Sequence, residues 1–418
     1  MGNALLGHLT NGADQLGSDI LPVMAGPDLG GLVNARLLVW AREMARLDVE
    51  AAARRAGTTA VRLQEWESGT KTPTLTQLRN LANAYKRSVG VFFLREVPLD
   101  GAPRPVDFRR IELSTRNDMS PQLVVSLREA LSKRDAALDI YKELEEDAPR
   151  FDLRIAPEMS AEDAARFLAD HLGITIEMRR VWSSDYAALA GWRASIEALG
   201  VLVIQVSGVS ITEMRGASIF EATLPIILLN SSDSPLGRLF TLVHELTHLA
   251  RTESALCDEI EDAPRAEANQ LIEAYCNQVA GALLVPADAL LGHPLVLGAD
   301  PAYEWNASQL GSLRRFFWAS REVVLRRLLI HQRTSRAHYR AMRAQFEAEY
   351  EALRNRQEGF VPPPRKVVLG NGRFLTRLVL DAYAASAITG TELARILGTK
   401  LDHLPGINDI IRRERVTL

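Results

Sequence analysis

The segment RLFTLVHELTHLA at 238–250 constrains this chain more than any other. His244 and His248 lie four residues apart, so a helix stacks their imidazoles one turn apart on one face, where both can reach a single metal ion. Leu239, Phe240, Leu242, Val243, Leu246 and Leu249 surround them with apolar surface. That surround predicts a buried helix whose polar triplet faces a cleft. Zinc is the expected ion: it accepts imidazole nitrogen, and it acidifies a water and polarises a carbonyl without redox chemistry. Glu245 stands beside the first histidine. From there it can take a proton from such a water without ligating the metal, which is the role of a general base.

A catalytic zinc commonly takes three protein ligands, so a third is sought downstream. The chain first passes an acidic loop, TESALCDEIEDAP, and then enters a helical stretch at 265–284. Glu273 is favoured there, because it precedes the apolar positions Val279, Leu283 and Leu284 and can point into the core that the HELTH helix packs against. Glu267 lies nearer the helix start, where an acid suits the helix dipole without any metal. Asp258, Glu259 and Asp262 remain as alternatives. Cys276, three residues after Glu273, reads as a small buried hydrophobe.

The remainder of the chain sets the context. Its 418 residues suffice for several domains. With only Cys257 and Cys276, a disulfide scaffold is excluded and a reducing compartment is expected. No stretch reaches about 18 uninterrupted apolar residues, and the N-terminus lacks the basic and apolar regions of an export signal. A cytoplasmic protein without membrane association follows as the expectation. The formal charge of -3 means that nucleic-acid binding would have to come from a local patch.

Breaker residues divide the chain. Residues 1–30 read as a loose tail, 31–97 as a bundle of short helices, and 98–158 as a proline-rich linker followed by a long helix. A central domain spans 159–295 and holds the strand candidates Val201–Val206 and Pro225–Leu229. Helices return at 296–360, and 361–418 forms a further helical segment. The fold class is therefore α+β, mostly helical, with a small sheet. Pro225 places its strand at an open sheet edge, since proline cannot donate to a ladder. Such an edge can bind an extended substrate as one more strand.

The strings RLFTLVHELTHL and IEAYCNQVAGALLVP, with GWRASIEALGVLVIQVS and LPIILLN upstream, resemble the ImmA/IrrE metallopeptidases over about residues 160–287. The resemblance implies a zincin-like domain in which His244, His248 and Glu273 bind zinc and Glu245 is the base. Thr247 stands where that family often has Gly or Ala. The resemblance also implies cleavage of a helix-turn-helix repressor. Arg238 and Tyr275 are candidate stabilisers of the oxyanion formed in peptide hydrolysis, with no motif to place either near the metal.

The N-terminal bundle, AAARRAGTTAVRLQEWESGTKTPTLTQLRNLANAY, resembles Xre/Cro-type helix-turn-helix domains. By that likeness Thr59–Trp66 enters the major groove of duplex DNA. Thr59, Arg62 and Gln64 are the candidate DNA contacts, with Arg62 and Gln64 able to reach base edges. Glu65 would repel phosphate. Residues 31–100 hold eleven Lys or Arg against seven Asp or Glu, a net charge of +4. Protein docking or dimerisation is the alternative use of this bundle. The segment 308–329 looks like a second helix-turn-helix; its other reading is an amphipathic pair covering the peptidase, with solvated arginines. The expected function is a zinc endopeptidase coupled to a DNA-binding or docking module. The alternative is a transcription regulator that uses a non-cleaving peptidase-like domain as sensor or scaffold. Oligomeric state is left open by the sequence.

Overall fold

The computed structural model describes residues 31–97, 119–257, 265–354 and 361–413, and the chain divides into two units between Ala102 and Pro103. The tail 1–30 and most of the proline-rich linker lie outside the described residues.

The first unit is helical: α1 (Ala35–Met44), α2 (Val49–Ala56), α3 (Ala60–Glu67) and α4 (Leu75–Tyr85), then a short 3-10 turn at Val89–Phe93. Each helix begins where a polar side chain can satisfy an orphan backbone N–H. Asn34, Asp48, Thr59 and Thr74 accept from the N–H groups of Arg36, Ala51, Arg62 and Gln77 respectively. Gly57, at φ +66°, ends α2 in the left-handed conformation that glycine adopts most readily. Leu37, Leu38, Leu63, Trp66, Leu78, Leu81, Tyr85 and Phe92 form the core. Ala52, Ala53 and Ala56 keep the buried face of α2 thin, so it packs closely on α3 and α4.

The second unit is built on three strands, β1 (Leu202–Val206), β2 (Gly216–Ile219) and β3 (Ile226–Asn230), in the order β1-β3-β2. Strand β3 runs parallel to β1 and antiparallel to β2. It is central and buried throughout, which overturns the expectation of an open edge at Pro225–Leu229. The physical reason is local: Pro225 stands just before the strand and only its carbonyl takes part, accepting from Leu202 N–H at 2.8 Å. Proline's missing donor is not needed there. The outer strands are β1 and β2, and β2 is a short segment that the sequence reading did not anticipate.

Helices cover both faces of the sheet. They are α5 (Pro121–Glu143), α6 (Ala161–Leu172), α7 (Ile176–Arg179), α8 (Asp185–Glu197), α9 (Pro235–Cys257), α10 (Arg265–Leu284), α11 (Ala287–Leu291), α12 (Ala307–Phe317), α13 (Arg321–Ile330), α14 (Arg336–Arg354), α15 (Pro363–Asn371), α16 (Arg373–Ala384), α17 (Gly390–Leu397) and α18 (Leu404–Arg413). Strand alternation assigns the two sides. Val203, Ile227 and Leu229 pack with α6, α8, α9, α10, α12 and α13. Leu202, Ile204, Ala217, Ile219, Ile226 and Leu228 pack with α5 and with α15 to α18.

The segments expected to divide near 158, 295 and 360 thus share one unit, because both sheet faces need cover. The C-terminal helices are held by a buried pair on α8. Arg193 donates to Glu197 at 2.8 Å and to the carbonyl of Leu369 at 2.7 Å, and also bonds the carbonyl of Val203 on β1. Glu197 accepts the N–H groups of Arg373 and Phe374 at 3.1 and 3.0 Å, at the start of α16. Burial pushes the Glu197 carboxyl up, while Arg193 and those two N–H groups pull it down.

The α12–α13 pair is part of the same core. Leu310, Leu313, Phe317, Val323, Val324, Leu325 and Leu328 are buried in it, so α13 lacks the free face that a groove-reading helix requires. Its arginines are not simply solvated. Arg327 is 2% exposed, donates to the carbonyl of Val285 at 2.9 Å and grips Glu162 with both terminal nitrogens. Arg314 pairs with Asp185, and Arg321 with Glu349. These contacts tie α13 to α6 and α14, and α12 to α8, by partners too distant in sequence to be read from it.

Candidate metal centre and cleft

Helix α9 presents the histidines as its spacing requires. His244 Nε2 and His248 Nε2 are 3.0 Å apart. From α10, Glu273 brings one carboxylate oxygen within 3.3 Å of His244 Nε2 and the other within 3.4 Å of His248 Nε2. Ligands at the corners of a tetrahedron about 2.0–2.1 Å from zinc would stand about 3.3–3.4 Å from each other, so the donor set has the separation that such an ion needs. The two imidazoles hold the Glu273 carboxyl well below the usual carboxylate range. Asp258, Glu259 and Asp262 lie outside the described residues, as does the side chain of Glu267.

The crossing of α9 and α10 is fixed from beyond the site. Arg179, nearly fully buried against the Trp192 ring, donates to the carbonyls of Leu283 and Leu284 at 2.9 and 2.6 Å. It thereby satisfies carbonyls that the end of α10 would leave orphaned. Tyr275 donates to the carbonyl of Met159 at 2.8 Å, with Arg251 over its ring. Thr247 is fully buried and returns its hydroxyl to the carbonyl of Val243 at 2.9 Å, so it adds no unsatisfied group beside the histidines.

Glu245 lies against β2. Its carboxyl is buried and pushed up by desolvation, against the pull of His248, His244 and the Ser218 hydroxyl, which hydrogen-bonds it. Its Oε2 has no hydrogen-bond partner among the described residues. A carboxylate of raised basicity, with one oxygen uncommitted, has the attributes of a general base. Gly216 is two residues before Ser218 on the same side of β2. A side chain there would collide with Thr241 of α9 and come within 3.2 Å of Glu245 Oε1.

These groups lie in a cleft of about 910 Å³, lined by the β2 side, α9, α10, α13 and α14. Asn230 shapes its rim by donating to the carbonyls of Val209 and Met214 at 3.0 and 2.8 Å, which fixes the loop leading into β2. Asp233 gathers another edge, accepting from Tyr350 Oη at 2.9 Å and Arg215 at 3.1 Å.

Of the candidate residues read from sequence, His244, Glu245, His248 and Glu273 converge here. Arg238 and Tyr275 do not line the cleft: Arg238 is engaged with Gln205 at 2.8 Å and with the Tyr186 ring. Sequence reasoning missed Gly216, Ser218, Asn277, Arg326 and Tyr350. Asn277 alone carried a usable signal, since it follows Glu273 by four residues on one helix face. In the first unit Thr59 caps α3, while Arg62 and Gln64 are exposed on it. Glu65, expected to repel phosphate, is paired with Lys71 at 2.8 Å.

Residues 196–329 match the family model of the IrrE N-terminal-like domain, and residues 38–92 that of a helix-turn-helix. The chain joins these two domains. The IrrE N-terminal-like domain includes the whole sheet, α9 and α10, and it continues through the α12–α13 pair. It is a metallopeptidase-like domain, and the helix-turn-helix is of the DNA-binding kind. No curated relative matches the chain. No helix among the described residues is long and apolar enough to cross a membrane.

Proposed function

We propose that this protein is a zinc-dependent endopeptidase that cuts a regulatory protein, coupled to a helix-turn-helix that binds duplex DNA. The observation that carries the reading is the meeting of three donors 3.0–3.4 Å apart with a buried carboxylate on the same helix turn, inside one cleft. A structural metal would need the donors but not the base.

His244, His248 and Glu273 would hold one zinc ion. When bound, zinc supplies the Lewis acidity that polarises the scissile carbonyl and makes a water easier to deprotonate. Glu245 takes the proton from the attacking water and later returns it to the leaving amine. Ser218 holds the Glu245 carboxylate from the strand side. The substrate segment is extended and lies along β2. Arg215 and Asn230 form a hydrogen-bonded pair, so the antiparallel alternation turns Ala217 and Ile219 toward β3 and the backbone of Gly216 and Ser218 toward the open side. These groups can pair with a peptide as an added strand.

The resemblance to peptidases that cut repressors makes a separate helix-turn-helix repressor the leading substrate. In the first unit, Arg62 and Gln64 would read base edges, with Thr59 at the helix start near phosphate. The deciding experiment incubates the zinc-loaded full chain, alone and with a candidate helix-turn-helix repressor, and maps fragments by mass spectrometry. Repressor fragments that need both zinc and Glu245 support the reading. Stable binding of the repressor without cleavage would favour a sensor or scaffold, and fragments ending within 97–121 would favour self-processing.

A further inference from the structure

A second depression of about 990 Å³ lies along α13 and α14, and Glu347 borders both it and the metal cleft. Helix α13 gives Glu322 and Arg326 to the first and Leu329 and Ile330 to the second. Between them Tyr339 bridges the two helices, donating to Glu322 at 2.7 Å.

The second depression is basic along one wall. Arg336, Arg340 and Arg343 are exposed and follow one face of α14 at spacings of four and three. Arg343 is paired with Glu347 at 2.9 Å. Arg336 and Arg340 have no acidic partner among the described residues. Elsewhere the lining mixes apolar Pro301, Leu329 and Ile330, the last 49% exposed, with Gln332, Thr334 and Ser335. By the helical rise of 1.5 Å per residue, Arg340 and Arg336 lie about 10 and 16 Å along α14 from Glu347. An extended peptide advances about 3.3 Å per residue, so it covers that distance in roughly three to five residues.

We propose that this depression is a subsite for acidic side chains of the substrate, placed on one side of the scissile bond and held by Arg336 and Arg340. The proposal rests on the endopeptidase reading, since it assumes that a peptide occupies the adjoining cleft. Two unpaired guanidinium groups opening onto a peptide-sized channel suit a short acidic run. Duplex DNA draws its affinity from many phosphate contacts. A carboxylate can be gripped by two nitrogens of one arginine, which gives selectivity that a lysine would not.

The test uses the full-length, zinc-loaded Glu245→Gln protein, so that binding is read without turnover. Fluorescence anisotropy is measured for a labelled twelve-residue peptide of Gly, Ser and Leu with three consecutive Asp, for its Asn counterpart, and for a twelve-base-pair duplex. The Asp peptide should bind at least about tenfold more tightly than the Asn peptide, which corresponds to about 1.4 kcal/mol. Arg336→Glu/Arg340→Glu should abolish that preference and leave the zinc content and thermal midpoint unchanged. Equal binding of the two peptides, or an unchanged preference in the double variant, overturns the proposal. If the double variant loses only duplex binding, the patch serves nucleic acid and the proposal also fails. Because no cleavage is measured, an inactive enzyme would defeat the proposed function without deciding this one.

Discussion

Gly216 on β2 and Thr241 on α9 touch so closely that a β-carbon on Gly216 would overlap the Thr241 methyl group and stand 3.2 Å from Glu245 Oε1. The strand can reach the metal helix only because this position carries no side chain. Gly216→Ala should push β2 away, destabilise the second unit by about 1–3 kcal/mol as overpacking does, and reduce cleavage. Adding Thr241→Ala should recover part of the stability in thermal unfolding. A Gly216→Ala protein with parental midpoint and activity would show that the contact is unimportant.

Zinc should stabilise the fold as well as activate it. A ligand present at about one hundred times its dissociation constant contributes about 2.7 kcal/mol when it binds only the folded state. The midpoint of the chelator-treated protein should therefore rise on adding zinc, while His248→Ala and Glu273→Ala should respond weakly. If either variant keeps full zinc occupancy by elemental analysis in the presence of a chelator, the ligand set is wrong.

The Arg193–Glu197 pair predicts a structural rather than catalytic loss. Both side chains are buried, and removing one leaves the other charge uncompensated, at a typical cost of about 3–5 kcal/mol. Glu197→Ala should lower the urea midpoint and expose the chain around Gly372 to limited proteolysis, because the start of α16 loses its acceptor. Unchanged protease resistance there would mean that apolar packing alone holds the C-terminal helices.

Much of the candidate metal site was legible because its grammar is local. The i, i+4 histidines with the adjacent acid require only one helix, and Glu273 sits on a helix whose apolar positions declare its buried side. One edge of the sheet, β2, was not legible. Strand β2 reads Gly-Ala-Ser-Ile, without the β-branched run that marks a strand, and its small residues are there to fit α9. Pro225 misdirected the assignment because a proline just outside a ladder looks the same in sequence as one on an edge. The α12–α13 pair posed a similar ambiguity: two short helices with a tight turn satisfy helix-turn-helix grammar, and only the burial of Val324 and Leu328, with Arg327 reaching Glu162 far upstream, shows that they complete the core of the second unit.

DNA binding by the first unit should separate affinity from sequence choice. Arg62→Ala or Gln64→Ala should cost about 1–3 kcal/mol of discrimination between operator and random duplex. Thr59→Ala should instead weaken α3 by about 0.5–2 kcal/mol through loss of its cap. Binding should fall as salt rises, because phosphate contacts release counterions. A domain that binds no duplex at low salt, yet retains a protein partner, would be a docking module.

The central claim is that Glu245 is the base of a zinc peptidase, and one comparison tests it directly. Wild-type and Glu245→Gln proteins, each shown by elemental analysis to carry about one zinc per chain, are incubated with a helix-turn-helix repressor that the wild type cleaves, and the initial cleavage rates are measured by mass spectrometry. The account predicts equal zinc content, equal thermal midpoints within about 1 kcal/mol of stability, and a rate at least about 10²-fold lower for the Gln variant, the usual scale for loss of a general base. Equal rates at equal zinc content would contradict it.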